Sequence, residues 1–68
     1  MAKMTLRAAR VNAGYDQKTA AKQLKISNKT LCAWETGRSY PKVDKIPAVC
    51  DLYGISFNDL IFLTDKPL

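Results

Sequence analysis

Sixty-eight residues, 47% of them apolar, suffice for one small domain with a single modest core. One Trp, three Tyr and two Phe argue against a disordered chain, and the longest apolar run, residues 60–63, is far too short to span a bilayer. The net charge of +5 is unevenly spread: residues 1–42 carry nine Lys or Arg against two acidic residues, a net of +7, and residues 43–68 carry two against four, a net of −2. Such a one-sided field suits a polyanionic partner, which releases counterions on binding.

In chain order the sequence predicts an all-α fold of five helices with no strand. Helix 1 is expected from about Thr5 to Ala13, with Leu6, Ala9 and Arg10 turned inward and Gly14 as its left-handed stop. Helix 2 is expected over about Gln17 to Leu24, opened by Asp16, whose carboxylate can accept from an unpaired first-turn amide. Helix 3 follows from Asn28 to Thr36, with Ser27 as its cap and Gly37 as its end. The segment RSYPK reads as a loop, because Pro41 disfavours helical geometry at Tyr40. Helix 4 begins after Asp44, tolerates Pro47 in its first turn, and stops at Gly54. Helix 5 is expected from Ser56, where Ser56 and Asp59 approximate a capping box, with Phe57, Leu60, Ile61 and Leu63 on its apolar side. The domain is expected over residues 1–63, with 64–68 as a short tail or the start of a linker.

The stretch DQKTAAKQLKISNKTLCAWETG, residues 16–37, is the most informative. Two marked helix starts lie eleven residues apart, Ala20 and Ala21 are small enough to let two helices cross closely, and Ile26 plugs the turn between them. Leu31 and Trp34 continue the apolar stripe, and the outer face is basic and polar. That is the layout of a helix-turn-helix that reads DNA.

Together these residues resemble the DNA-binding domain of Cro and phage-repressor type regulators, the lambda repressor-like family. The pattern is carried by Leu6, Arg10, Gln17, Ala21, Glu35, Gly37 and Pro41, continues through Gly54, Ile55, Ser56 and Leu60, and covers about residues 5–61. Tyr15 and Ala20 stand where the family usually has leucine, Pro47 is unusual in helix 4, and Lys25 replaces the usual turn glycine. At Lys25 the resemblance implies a positive φ and mild strain.

Packing Leu31, Trp34 and Glu35 inward leaves Asn28, Lys29, Cys32 and Ala33 outward. Asn28 can pair with adenine, Lys29 can donate to guanine O6 and N7, and Ala33 can meet a thymine methyl; Lys29 can alternatively neutralise a phosphate. Gln17, at the phosphate-facing start of helix 2, and Ser27, Thr36, Arg38 and Lys42 around the motif are expected on the backbone. Trp34 is expected to pack rather than stack on a base. The resemblance implies an ion pair between Arg10 and Glu35, two charges whose partial burial would require each other.

Two copies on a two-fold symmetric operator are expected, since one recognition helix reads only a few base pairs. Helix 5 carries more apolar surface than one face can bury, and the matching region in the family often forms the dimer contact. Ile61 and Leu63 are therefore the expected dimer residues of a weak homodimer strengthened on DNA, with Phe57 and Leu60 in the core. The absence of His excludes a mixed Cys/His zinc site, and Cys32 and Cys50 are expected as free thiols. No nucleophile with a base, phosphate loop or metal cluster marks an enzyme, and no cofactor, metal, membrane or small-molecule substrate is expected. The N-terminal MAKMTLRAARVNAG lacks the apolar segment of a secretory leader, so a cytoplasmic, nucleoid-associated location is expected. The alternative function is a protein-interaction module on the same fold, anti-repressor or antitoxin-like, with little DNA binding.

Overall fold

The structure, a computed structural model, describes residues 3–62. Among them are four α-helices, α1 (Leu6–Asn12), α2 (Gln17–Gln23), α3 (Asn28–Thr36) and α4 (Ile46–Tyr53). Two short strands, β1 (Met4–Thr5) and β2 (Leu60–Ile61), complete the fold.

Local chemistry starts each of the first three helices and stops the last two. The Thr5 hydroxyl accepts from the Ala8 amide at 3.1 Å, Asp16 Oδ1 from the Thr19 amide at 2.7 Å, and Ser27 Oγ from the Thr30 amide at 3.0 Å. Each satisfies a donor with no intrahelical partner. The Thr19 amide also holds the Asp16 carboxyl below the usual carboxylate range. Gly37 and Gly54 close α3 and α4 with φ of 84° and 66°, a conformation that costs glycine nothing. Thr5 is thus the cap of α1 and not its first residue, and Leu24 caps α2. A 3-10 turn over Val43–Lys45 leads into α4, which holds Pro47 in its first turn as expected.

The core gathers Leu6 and Ala9 from α1, Ala20 and Ala21 from α2, Leu31 and Trp34 from α3, and Val49 and Tyr53 from α4. Leu31 and Val49 are fully buried. Lys45 Nζ donates to the Leu24 carbonyl at 3.2 Å, pinning the end of α2 to the segment before α4.

Lys25, in the turn between α2 and α3, sits at φ 59°. A left-handed conformation costs a side-chain-bearing residue about 1–2 kcal/mol, of which glycine's extra chain entropy returns about 0.5–1 kcal/mol. Lys25→Gly is therefore expected to raise stability by up to about 1 kcal/mol in thermal melts; a lower melting temperature would contradict strain at this turn.

The C-terminal segment corrects the five-helix expectation. Residues Phe57–Asp59 form a single 3-10 turn, and Leu60 then adopts an extended backbone, φ −87° and ψ 136°. β2 pairs parallel with β1, Met4 opposite Leu60 and Thr5 opposite Ile61. The expectation of no strand fails with it. The Ser56 hydroxyl bonds the Asp59 carboxylate at 3.2 Å and caps no amide, so the capping box does not form. A short run of aromatic and branched residues fits a strand as readily as a helix, and here the open edge of β1 supplies the partner. Leu60 enters the core as expected, whereas Phe57, expected beside it, is 55% exposed because the 3-10 turn swings it outward. Leu63 and the tail 64–68 lie outside the described residues.

Candidate nucleic-acid interface

Leu31, Trp34 and Glu35 fasten α3 to the core, so the helix presents its opposite side to solvent. Asn28, Lys29, Cys32, Ala33 and Thr36 line one shallow concavity of about 690 Å³, joined by Gln17 from α2 and Arg38 from the loop after α3. Two charged donors, two amides and a short apolar strip of Cys32 and Ala33 thus face one hollow. Base edges offer this mixture its complement: acceptors, donors and the thymine methyl.

Linked to the concavity through Gln17 is a buried ion pair. Arg10 Nε donates to Glu35 Oε2 at 2.7 Å and Nη2 to Oε1 at 3.3 Å, while Nη1 donates to the Tyr15 carbonyl at 2.9 Å. This fork spreads one guanidinium over α1, the loop after it and α3. The hydrogen bonds that Arg10 donates to Glu35 hold the Arg10 pKa above its ordinary value despite burial. Gln17 Nε2 donates to Glu35 Oε1 at 3.2 Å, so the pair also orients the amide at the start of α2. That leaves one Nε2 proton and the amide oxygen for other partners. The Tyr53 hydroxyl has no hydrogen-bond partner among the described residues, and burial, with Glu35 nearby, pushes its pKa up to about 12.

The sequence-derived site residues divide by position. Asn28, Lys29, Ala33, Gln17, Thr36 and Arg38 come together in the concavity. The Thr36 hydroxyl donates back to the Cys32 and Ala33 carbonyls at 2.9 and 3.3 Å, so its proton is occupied within its own helix. Ser27 Oγ is engaged as the α3 cap and lies 2.9 Å from the Thr30 hydroxyl. Lys42 lines a separate hollow with Thr30, Ser39 and Lys45. Ile61 is 40% exposed at the end of β2. Trp34 is buried in the core and offers no face for stacking.

Cys32, expected on the outward face with Asn28, Lys29 and Ala33, stands inside the concavity with them. Its spacing four residues after Asn28 places both on one side of a helix, a signal the sequence does contain. Cys32 is exposed and Cys50 half-buried, both as free thiols, and burial raises the Cys50 pKa. Among the described residues no group of His, Cys, Asp or Glu could hold a metal, and no helix is long and apolar enough to cross a membrane.

A basic concavity on the second helix of a tight helical pair defines a DNA-binding class of protein. The helix-turn-helix family model matches residues 6–60, and the chain belongs to that family, in its Cro and phage-repressor-like form. It is thus a DNA-binding transcriptional regulator whose partner is double-stranded DNA. No curated protein and no solved structure matches the chain.

Proposed function

We propose that this protein is a sequence-specific repressor, of the phage or mobile-element kind, that reads the major groove with α3. The observation that carries this reading is the single concavity in which Asn28, Lys29 and Ala33 stand beside Gln17 and Arg38, on the half of the chain that holds a net charge of +7. Asn28 and Lys29 read base edges and Ala33 meets a methyl. Gln17 and Arg38 hold the flanking phosphates, joined by Thr36 once its hydroxyl turns from its own helix, with Ser27 and Lys42 at the outer edge.

Two copies bind a two-fold symmetric operator as a weak homodimer. Supporting this is an apolar surface opposite the charged one in composition: Tyr40, Pro41, Val43, Ile46, Phe57 and Phe62 line a hollow of about 300 Å³, with Val43 88% exposed and Ile61 partly exposed beside the same segment. Exposed apolar residues in such concentration on a small domain suit a partner surface. Ile61 and Leu63 are the proposed contact residues.

Selection of bound duplexes from a random pool tests both parts. Inverted repeats with half-sites about one helical turn apart are expected; an unrepeated half-site would rule out the dimer, and no enrichment would favour a protein-interaction module. The selected duplex is also expected to slow maleimide labelling of Cys32, in the concavity, without slowing that of Cys50. Equal labelling of Cys32 with and without duplex would remove α3 from the groove.

A further inference from the structure

A second hollow adjoins the first. It is lined by Thr5, Arg7, Arg10, Gln17, Glu35 and Thr36, and it shares Gln17 and Thr36 with the α3 concavity, so these two residues form the ridge between them. Arg10 and Glu35 neutralise each other through the 2.7 Å contact in its floor. Arg7, on the solvent side of α1, is exposed and makes no hydrogen bond or ion pair among the described residues. The second hollow therefore carries one uncompensated positive charge, and its polar lining holds the Gln17 amide and two threonine hydroxyls.

Resting on the DNA-binding function proposed above, the geometry points to Arg7 as a phosphate-contacting residue that extends the DNA interface beyond the helix-turn-helix onto α1. A duplex whose base edges enter the α3 concavity has its sugar-phosphate strands along the edges of the groove. A strand that crosses the Gln17 and Thr36 ridge descends into the second hollow. There Arg7 is the free cation, and its planar fork matches phosphate oxygens in pairs. The buried pair below cannot serve, because Glu35 already occupies the Arg10 fork. Arg7 thus adds affinity without sequence information, as backbone contacts do.

The test is the affinity for a selected duplex at several salt concentrations for the wild type, Arg7→Ala, Arg7→Lys and Lys22→Ala. Lys22 is exposed on α2 and lines neither hollow, so its loss reports the effect of net charge alone. Arg7→Ala is expected to bind several-fold more weakly than Lys22→Ala, with the slope of log affinity against log salt reduced by about 0.9. Its base preference and melting temperature should match the wild type, and Arg7→Lys should restore the slope. A wild type that binds duplex, together with Arg7→Ala indistinguishable from Lys22→Ala, would overturn the Arg7 assignment and leave DNA binding standing. A changed base preference in Arg7→Ala would also overturn it, by placing the residue in the groove. A wild type that ignores every duplex would overturn both.

Discussion

Glu35→Ala is expected to cost about 3–5 kcal/mol of folding stability, because it strands a buried guanidinium. Marginal stability for 68 residues is on the order of 3–10 kcal/mol, so the loss is a large fraction of the total. The loss is large for a structural reason. Glu35 accepts from Arg10 Nε, Arg10 Nη2 and Gln17 Nε2, and among the described residues no other carboxylate is bonded in that network. Arg10 cannot shed its charge to escape burial, because a guanidinium stays protonated far above neutral pH. Arg10→Met, which strands the carboxylate instead, is expected to lose nearly as much. The double variant Arg10→Met with Glu35→Leu fills the same space with apolar groups and should recover most of either loss. Thermal and denaturant melts of the two singles and the double check this. Small, additive losses would mean that the pair contributes little.

Asn28→Ala and Lys29→Ala are each expected to weaken operator binding by about 1–3 kcal/mol and to relax preference at a different base position. Both residues are exposed in the first turn of α3, and neither makes a side-chain hydrogen bond or ion pair among the described residues, so folding stability should barely change. Arg38→Ala, by contrast, should weaken all duplexes alike and flatten the salt slope. Binding to the selected operator and to single-base variants of it separates the two behaviours. If Asn28→Ala and Lys29→Ala both keep the wild-type preference, α3 is not the reading element. If only Lys29→Ala keeps it while flattening the salt slope, Lys29 sits on a phosphate.

These two results probe different layers of one device. The Arg10 and Glu35 pair fixes α3 against α1, and its link to Gln17 carries that fixation to the start of α2. A reading helix held this way meets DNA already oriented, which limits the ordering cost of binding.

Much of the fold was legible because its signals are local. Asp16 and Ser27 cap helices through amides three residues away, and Gly37 and Gly54 end helices at their own φ. The bounds of α3 were therefore readable directly from Ser27 and Gly37, and the inward set Leu31, Trp34 and Glu35 from helical spacing. The family followed from the combined spacing of Leu6, Arg10, Gln17, Ala21, Glu35, Gly37 and Pro41, each weak alone. Such features need no knowledge of what the rest of the chain does.

The remainder was decided by contacts between residues far apart in sequence. The apolar run after Ser56 has no intrinsic choice between helix and strand; β1, more than fifty residues earlier, offers the open edge that makes it a strand, and Phe57 turns outward in consequence. Arg10 and Glu35 lie 25 residues apart, and no local pattern specifies the 2.7 Å contact or the sharing of Glu35 with Gln17. The two hollows divided by Gln17 and Thr36 exist only because α1, α2 and α3 pack against one another, and so Arg7, an ordinary surface arginine by sequence, acquires a neighbourhood. Caps and periodicity are set within a turn or two of the chain, whereas edge pairing, buried charge and concave surface belong to the packed whole.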